Sequence, residues 1–559
     1  MLPQLKEELQ SLIRSAAGEC GSFPESLTVP LEVAAFKEHG DLSCNFALQL
    51  TKIFRRNPME LAENIKNALQ VRLLTSSIRG KIVSIDVVKP GFLNFRLSPS
   101  AYCDALGGIL GLGTLFGRTN TGKAKRVLVE FVSANPTGPL TVAHARQAAV
   151  GDVLVNILNA TGRHAEREFY VNDGGNQIRT LGLSVQWRTL EILGEKIDYP
   201  EDCYQGDYIR DMAVIFMRER KILDIAAAKA ISLEDYSGFA KNYLMDVIRE
   251  DLRLFRVSFD NWSFESQVAS SDKIAMALED LKQKGFIYEK DGALWFASTR
   301  FGDDKDRVVK KSDGFYTYLA PDIVYHKNKY DRGFDLLVDI LGPDHHGYIP
   351  RIKAAAQALG KDATALEGLI IQLATIFRDG KQLRMSTRAG EFISLREVVN
   401  EVGTDAGRYF MLMRQVSQQL EFDIDLAKKQ APENPVYYIQ YAHARVCSIL
   451  RKAREEASLV PATACGRFVR LKEDAEIDLI KKMDLFPDIL DLCAQQLDPA
   501  PLPRYMQELA GTFHKFYDKC RVIDEDKELS AERLALVDAA RIVLLNGLTL
   551  LGITAPEKM

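Results

Sequence analysis

Apolar residues recur at two different spacings along this 559-residue chain, and the changes of spacing mark its elements. Leu5, Leu9, Leu12 and Ile13 keep helical spacing and predict a docked amphipathic helix. KIVSIDVV and FLNFRL alternate at period two around Lys89-Pro90-Gly91, which predicts a hairpin. Val127, Val129 and Phe131 on one face, with Leu128 and Val132 on the other, predict a strand buried on both sides. Asn135, Pro136, Gly138 and Pro139 break it into a loop. Val150, Val153, Leu154, Ile157 and Leu158 then return to helical spacing, and Gly162 offers a C-cap. DLLVDIL, 335–341, reads as a second strand, and Asp379-Gly380 as a hairpin turn. Past residue 426 the pattern is almost wholly helical, and LVDAARIVLLNGLTLLGI is apolar enough for a bundle core.

These elements predict an α/β multi-domain protein. Residues 1–105 form a small α+β domain, and 106–122, rich in Gly and Thr, a linker. Residues 123–425 form a Rossmann-like parallel-sheet core with a largely helical insertion at about 180–315. Residues 426–559 form an all-α bundle. The strand, Pro/Gly loop and helix of 126–160 make a nucleotide-binding element, because a helix N-terminus presents free N–H groups and a positive dipole end to phosphates. His144 falls in the first turn of that helix.

Composition narrows the setting. Hydrophobic content of 47% is ample for several cores, and no apolar run approaches the ~20 residues of a membrane span. The eight cysteines form no Cys-x-x-Cys pair, so neither a zinc site nor a disulfide framework is indicated, and a reducing cytoplasm is expected. A net charge of −4 gives no global nucleic-acid signal, which leaves local basic groups such as Arg445, Arg451, Lys452 and Arg454.

Several blocks together carry a family resemblance. PTGPLTVAHARQAAVGD resembles the His-Ile-Gly-His signature region of class I aminoacyl-tRNA synthetases in its arginyl form, with Thr141 for the first His and Ala143 for the Gly. FYVNDGGNQI, TYLAPDIVYH, ILGPDHHGYIPRIKAA and NPVYYIQYAHARVCSILRKA resemble further arginyl blocks, in family order. GKQLRMSTRAGEFISL looks like the Lys-Met-Ser-Lys-Ser loop, with Arg384 and Thr387 where the family has lysines. The resemblance implies ATP-dependent activation of L-arginine, with Mg²⁺ accompanying ATP, and transfer to tRNA(Arg) by a cytoplasmic monomer. Two other readings stay open: a different class I synthetase, and a non-catalytic tRNA-binding paralogue suggested by the altered signatures.

The resemblance also implies residue roles. Glu130, Tyr318 and Asp322 would hold the guanidinium, since carboxylates and an aromatic wall suit a planar permanent cation. Asn135 and His144 would meet the α-amino and carboxylate end. Thr141, His144, Asp344, His345, His346 and Met385 would face ATP. Lys381, Arg384, Ser386 and Arg388, with Thr141 and His144, would serve the phosphates during catalysis. The cluster Asp344-His345-His346 is expected on a strand end, where neighbours point to opposite faces and make a poor metal-ligand set, so no bound metal is expected. Tyr437, Tyr441, Arg445, Phe516 and Tyr517 are candidates for stacking on anticodon bases.

Overall fold

A computed structural model describes residues 2–34, 36–383, 393–463 and 468–559. Its centre is a five-stranded parallel sheet. In spatial order the strands are Leu366–Ile370, Leu336–Leu341, Arg126–Glu130, His164–Val171 and Asn261–Phe264. The chain starts this sheet at Arg126–Glu130, winds outward to one side, then returns to the other through Leu336–Leu341. The winding therefore reverses between those two strands, and the crevice beyond their carboxyl ends is where doubly wound sheets bind ligands.

Val127, Leu128 and Val129 are all buried, as a strand covered on both faces requires. The strand stops at Glu130, however, earlier than its apolar run suggested. Val132 and Ser133 adopt left-handed φ values of 67° and 40°. A β-branched residue at such an angle is strained, and here the strained turn leads directly into the crevice.

The helix Val142–Ala160 packs over this strand so closely that a Cβ at Gly151 would lie 2.2 Å from the Phe131 ring. Arg146, wholly buried within it, donates to the carbonyls of Gln372, Arg414, Gln415 and Gln418.

The expected N-terminal helix spans Leu2–Gly18, and the hairpin forms between Ile82–Val88 and Phe92–Leu97. The Asp379-Gly380 turn joins Ala374–Arg378 to Lys381–Gln382, with φ of 51° and 69° at its two central residues. Two expectations need correction. The stretch 106–112 is not irregular: it completes the helix Pro99–Leu112, whose Leu106 and Ile109 are fully buried, so packing overrides the low helix propensity of its glycines. The span 180–315 is not one insertion either. Helices Gly175–Ile192, Asp207–Arg220 and Leu233–Leu254 share a core around Leu181, Phe216 and Tyr236. The chain then returns to lay Asn261–Phe264 on the edge of the parallel sheet, and departs again into the antiparallel strands Ile287–Lys290, Ala293–Phe296 and Arg307–Lys310. Four residues are too few for their alternation to be read.

The C-terminal bundle comprises Pro435–Glu456, Asp474–Asp484, Phe486–Gln496, Pro501–Lys519 and Lys527–Leu550. Arg408 ties it to the core. Its buried guanidinium pairs with Asp152 at 2.5 Å and donates to the carbonyls of Leu551, Phe255 and Arg256. Asp152 would keep only Arg167, at 2.9 Å, so Arg408→Met should lower unfolding free energy by about 1.5–3 kcal/mol in denaturant titrations, the worth of a hydrogen bond to a charged group. An unchanged unfolding midpoint would show that the pair is dispensable.

Candidate active site

A cavity of about 610 Å³ opens at the carboxyl edge of the sheet, beside the switch point. Glu130, Val132, Ser133, Ala134 and Asn135 line it from the first strand and its turn. Ile340, Leu341, Asp344 and His345 line it from the returning strand and the turn beyond. His144 and Gln147 reach it from the signature helix, and Tyr318 and Asp322 from the helix Leu319–Asp331. Thus seven of the expected site residues, Glu130, Asn135, His144, Tyr318, Asp322, Asp344 and His345, meet around one space.

Other expected residues are placed differently. Thr141 is the N-cap of the signature helix and is not among the residues lining the cavity. Its N–H donates to His144 Nδ1 at 3.0 Å, and its hydroxyl lies 3.2 Å from the same nitrogen. Asp344, His345 and His346 do not sit on a strand. The strand ends at Leu341, and Pro343–His345 forms a short 3₁₀ turn, so the alternation argument does not apply to them. Asp344, His345 and His346 are all exposed, and His346 is not part of the cavity lining. Lys381 is exposed on its hairpin. Arg384, Met385, Ser386 and Arg388 lie outside the described residues.

His144 carries a definite protonation pattern. Its Nδ1 accepts the Thr141 N–H, which leaves the proton on Nε2. Burial pushes its pKa down to about 4. The imidazole is therefore a neutral donor at physiological pH, not a cation. Asp322 moves the opposite way. Burial raises its carboxyl to about 7, against smaller stabilising contributions from His326 and the Tyr348 hydroxyl.

Several residues of this site went unnoticed in the sequence. Glu265, just past the Asn261–Phe264 strand, lines the cavity and accepts the Tyr170 hydroxyl at 2.7 Å. Lys329 is fully buried between Glu130, at 2.5 Å, and Asp339, at 2.8 Å. Asp339 also contacts His326 Nε2 at 2.8 Å. The spacing of Asp322, His326 and Lys329 at i, i+4 and i+7 puts three polar residues on one inward helix face, and that is the signal that could have revealed them.

In the C-terminal bundle Tyr437 and Tyr441 stack nearly parallel, with ring centroids 6.3 Å apart. Arg445 lies over Tyr441 and over the exposed Tyr517, at 4.7 and 5.0 Å. Phe516 is corrected: it is wholly buried core and cannot stack on a base without unpacking the bundle.

Comparison with known families fits this layout. A family described as "tRNA synthetases class I (R), catalytic domain" matches residues 108–420. "Arginyl tRNA synthetase N terminal domain" matches 5–97, and "DALR anticodon binding domain" matches 439–559. Fold and matches together define a class I aminoacyl-tRNA synthetase. The chain is 44% identical over 569 residues to an arginine–tRNA ligase of Syntrophotalea carbinolica, covering 99% of this chain and 100% of the relative. It is 44% identical to that of Bacillus subtilis, covering 100% and 99%. Its fold matches the Thermus thermophilus arginyl-tRNA synthetase with a TM-score of 0.75 at 22% identity, over 99% of this chain and 100% of that one. The chain belongs to the arginyl-tRNA synthetase family, ligases that join arginine to tRNA.

The tautomer of His144 is directly measurable. Nitrogen-edited spectra of the imidazole should show an Nε2–H neutral form that titrates near pH 4. A midpoint near the ordinary histidine value of about 6.5 would restore the cationic reading.

Proposed function

We propose that the switch-point cavity is where arginine is activated. The observation that carries this is the convergence of Glu130 and Asp322 on one enclosed space beside the N-terminus of the His144 helix. A guanidinium placed there meets Asp322, Glu130 and Glu265, with Tyr318 as an aromatic wall. Asn135 and His144 are assigned to the α-amino and carboxylate end. Tyr318 is 88% exposed and free to fold over a ligand.

Class I membership brings ATP use. In the step assigned here, the arginine carboxylate attacks the α-phosphorus and pyrophosphate leaves. The resulting adenylate passes its arginyl group to a terminal ribose hydroxyl of tRNA, releasing AMP. The Nε2–H of His144 donates to phosphate oxygens, and the helix N-terminus behind it offsets their charge. Asp344 and His345 border the nucleotide side. Lys381 and the segment holding Arg384, Met385, Ser386 and Arg388 are assigned to the pyrophosphate end, with Arg384 and Arg388 as the cations. Among the described residues no three His, Cys, Asp or Glu side chains form a metal cage. We assign Mg²⁺ to the nucleotide's own phosphates and waters.

Tyr437, Tyr441, Arg445 and Tyr517 are proposed to read the anticodon of tRNA(Arg). We take the monomer as the working unit. The seven described cysteines are free, which suits a reducing cytoplasm, and no described helix is long and apolar enough to cross a membrane.

Asp322→Asn should raise the arginine KM about thirtyfold or more, as for truncating a buried charge partner, while leaving KM for ATP unchanged. Normal arginine use by this variant would refute the site. The raised carboxyl also sets a pH dependence. Below about pH 7 Asp322 holds a proton in the free enzyme, and a guanidinium must displace it. Arginine affinity should therefore weaken about tenfold per unit as pH falls below that value, and level off above it. Glu130, Glu265, His326 and Tyr348 face the same carboxyl, so titration calorimetry on Asp322→Asn, expected to be flat, isolates its contribution. Tyr517→Ala should raise KM for tRNA by about fivefold or more, the loss of one stacking platform, with KM for arginine unmoved. An unaltered tRNA KM would remove Tyr517 from the anticodon surface.

A further inference from the structure

Three carboxylates stand side by side across the carboxyl edge of the sheet. Glu130 is in register with Glu168 on one neighbouring strand and with Asp339 on the other. Adjacent strands lie about 4.8 Å apart, so like charges placed directly opposite repel. The end of the Leu319–Asp331 helix supplies two cations against these three acids. Arg332 pairs with Glu168, and Lys329 divides its ammonium between Glu130 Oε2 and Asp339 Oδ1. Lys329 is wholly buried, and its Nζ also lies 4.3 Å from the Tyr325 ring centroid. It is not among the residues lining the cavity. The second oxygen of Glu130 accepts the Ser133 hydroxyl at 2.8 Å, so that carboxylate is held at both ends.

We propose that Lys329 is a positioning residue for arginine selection: it offsets one of the two charges of the Glu130–Asp339 pair and fixes the Glu130 carboxylate in the orientation a planar guanidinium reads. Asp322 and Glu265, which have no such cation in contact among the described residues, are then left to carry the ligand's charge. This rests on the placement of arginine at Glu130 and Asp322 argued above. A guanidinium needs acceptors at fixed angles as well as negative charge, so a Glu130 free to rotate binds it poorly even with its charge intact. Buried charge pairs also tie the helix to two strands at once, which makes the orientation a property of the fold.

The test separates orientation from stability. Lys329→Met leaves two buried carboxylates without their cation. It should lower Tm and raise the arginine KM at least about thirtyfold, with KM for ATP unchanged. The double variant Lys329→Met/Asp339→Asn removes one charge of each sign and should recover most of the Tm while the arginine KM stays raised. If Lys329 only held the fold together, KM would return with Tm. That return, or a folded Lys329→Met with normal arginine KM, overturns the proposal. Ser133→Ala frees the other oxygen of Glu130 without exposing a buried charge, and should fold and raise the arginine KM about tenfold, the worth of one hydrogen bond to a charged group. An unchanged KM there also overturns it. Asp322→Asn, measured in parallel, distinguishes the failures. If it too leaves arginine use normal, the site assignment is wrong; if it alone raises KM, only the role of Lys329 is wrong.

Discussion

The carboxyl edge of the parallel sheet concentrates negative charge, and the surrounding structure is organised by the need to balance it. Glu168, Glu130 and Asp339 occupy equivalent positions on three adjacent strands. Burial alone would keep the Asp339 carboxyl protonated. The ammonium of Lys329 and the ring of His326 instead hold the Asp339 carboxyl well below the usual carboxylate range, although burial opposes them. Burial likewise acts to depress the Lys329 ammonium, and is outweighed by Asp339 and Glu130, which hold it above the ordinary lysine value. Each charge thus keeps the other ionised in a setting where neither would persist alone. Among the described residues Asp322 has no such partner, and burial displaces it toward its neutral form. Asp339 and Asp322 therefore shift in opposite directions because, among the described residues, only Asp339 is in contact with an ammonium.

Much of the architecture was legible in the sequence. The signature strand and helix, both hairpins and the helical C-terminal bundle follow from regular apolar spacing over enough residues to be counted. What escaped was decided by contacts distant in sequence. Asn261–Phe264 is too short to show its period, and it becomes a strand because Glu168–Val171 offers a free edge. The glycines of 106–112 argued for a loop, but Leu106 and Ile109 had a core to enter. Asp344 looked like a strand residue because apolar DLLVDIL runs up to it, while Gly342-Pro343 had already ended the strand.

The site itself was half visible. Glu130, Asn135, His144, Tyr318 and Asp322 were reached through motif resemblance, and they do meet around one cavity. Lys329 was missed because an isolated lysine in a helix is ordinarily a solvated one. Thr141 was expected to face ATP, but its main structural act is through its backbone N–H, which no side-chain comparison reports. Phe516 was chosen for being aromatic, and burial, not chemistry, removes it.

Arg146 sits two residues beyond His144 and touches no residue of the opposite charge among its hydrogen-bond partners, all four of which are main-chain carbonyls. Burial lowers its pKa only to about 10, with Asp498 resisting the fall, so it remains a cation at physiological pH. A full unit charge therefore stands behind the fractional charge of the helix dipole, screened from salt by the protein around it. An arginine that serves the fold as a clamp thereby also keeps a permanent charge two residues from His144, inside the protein and out of reach of counterions.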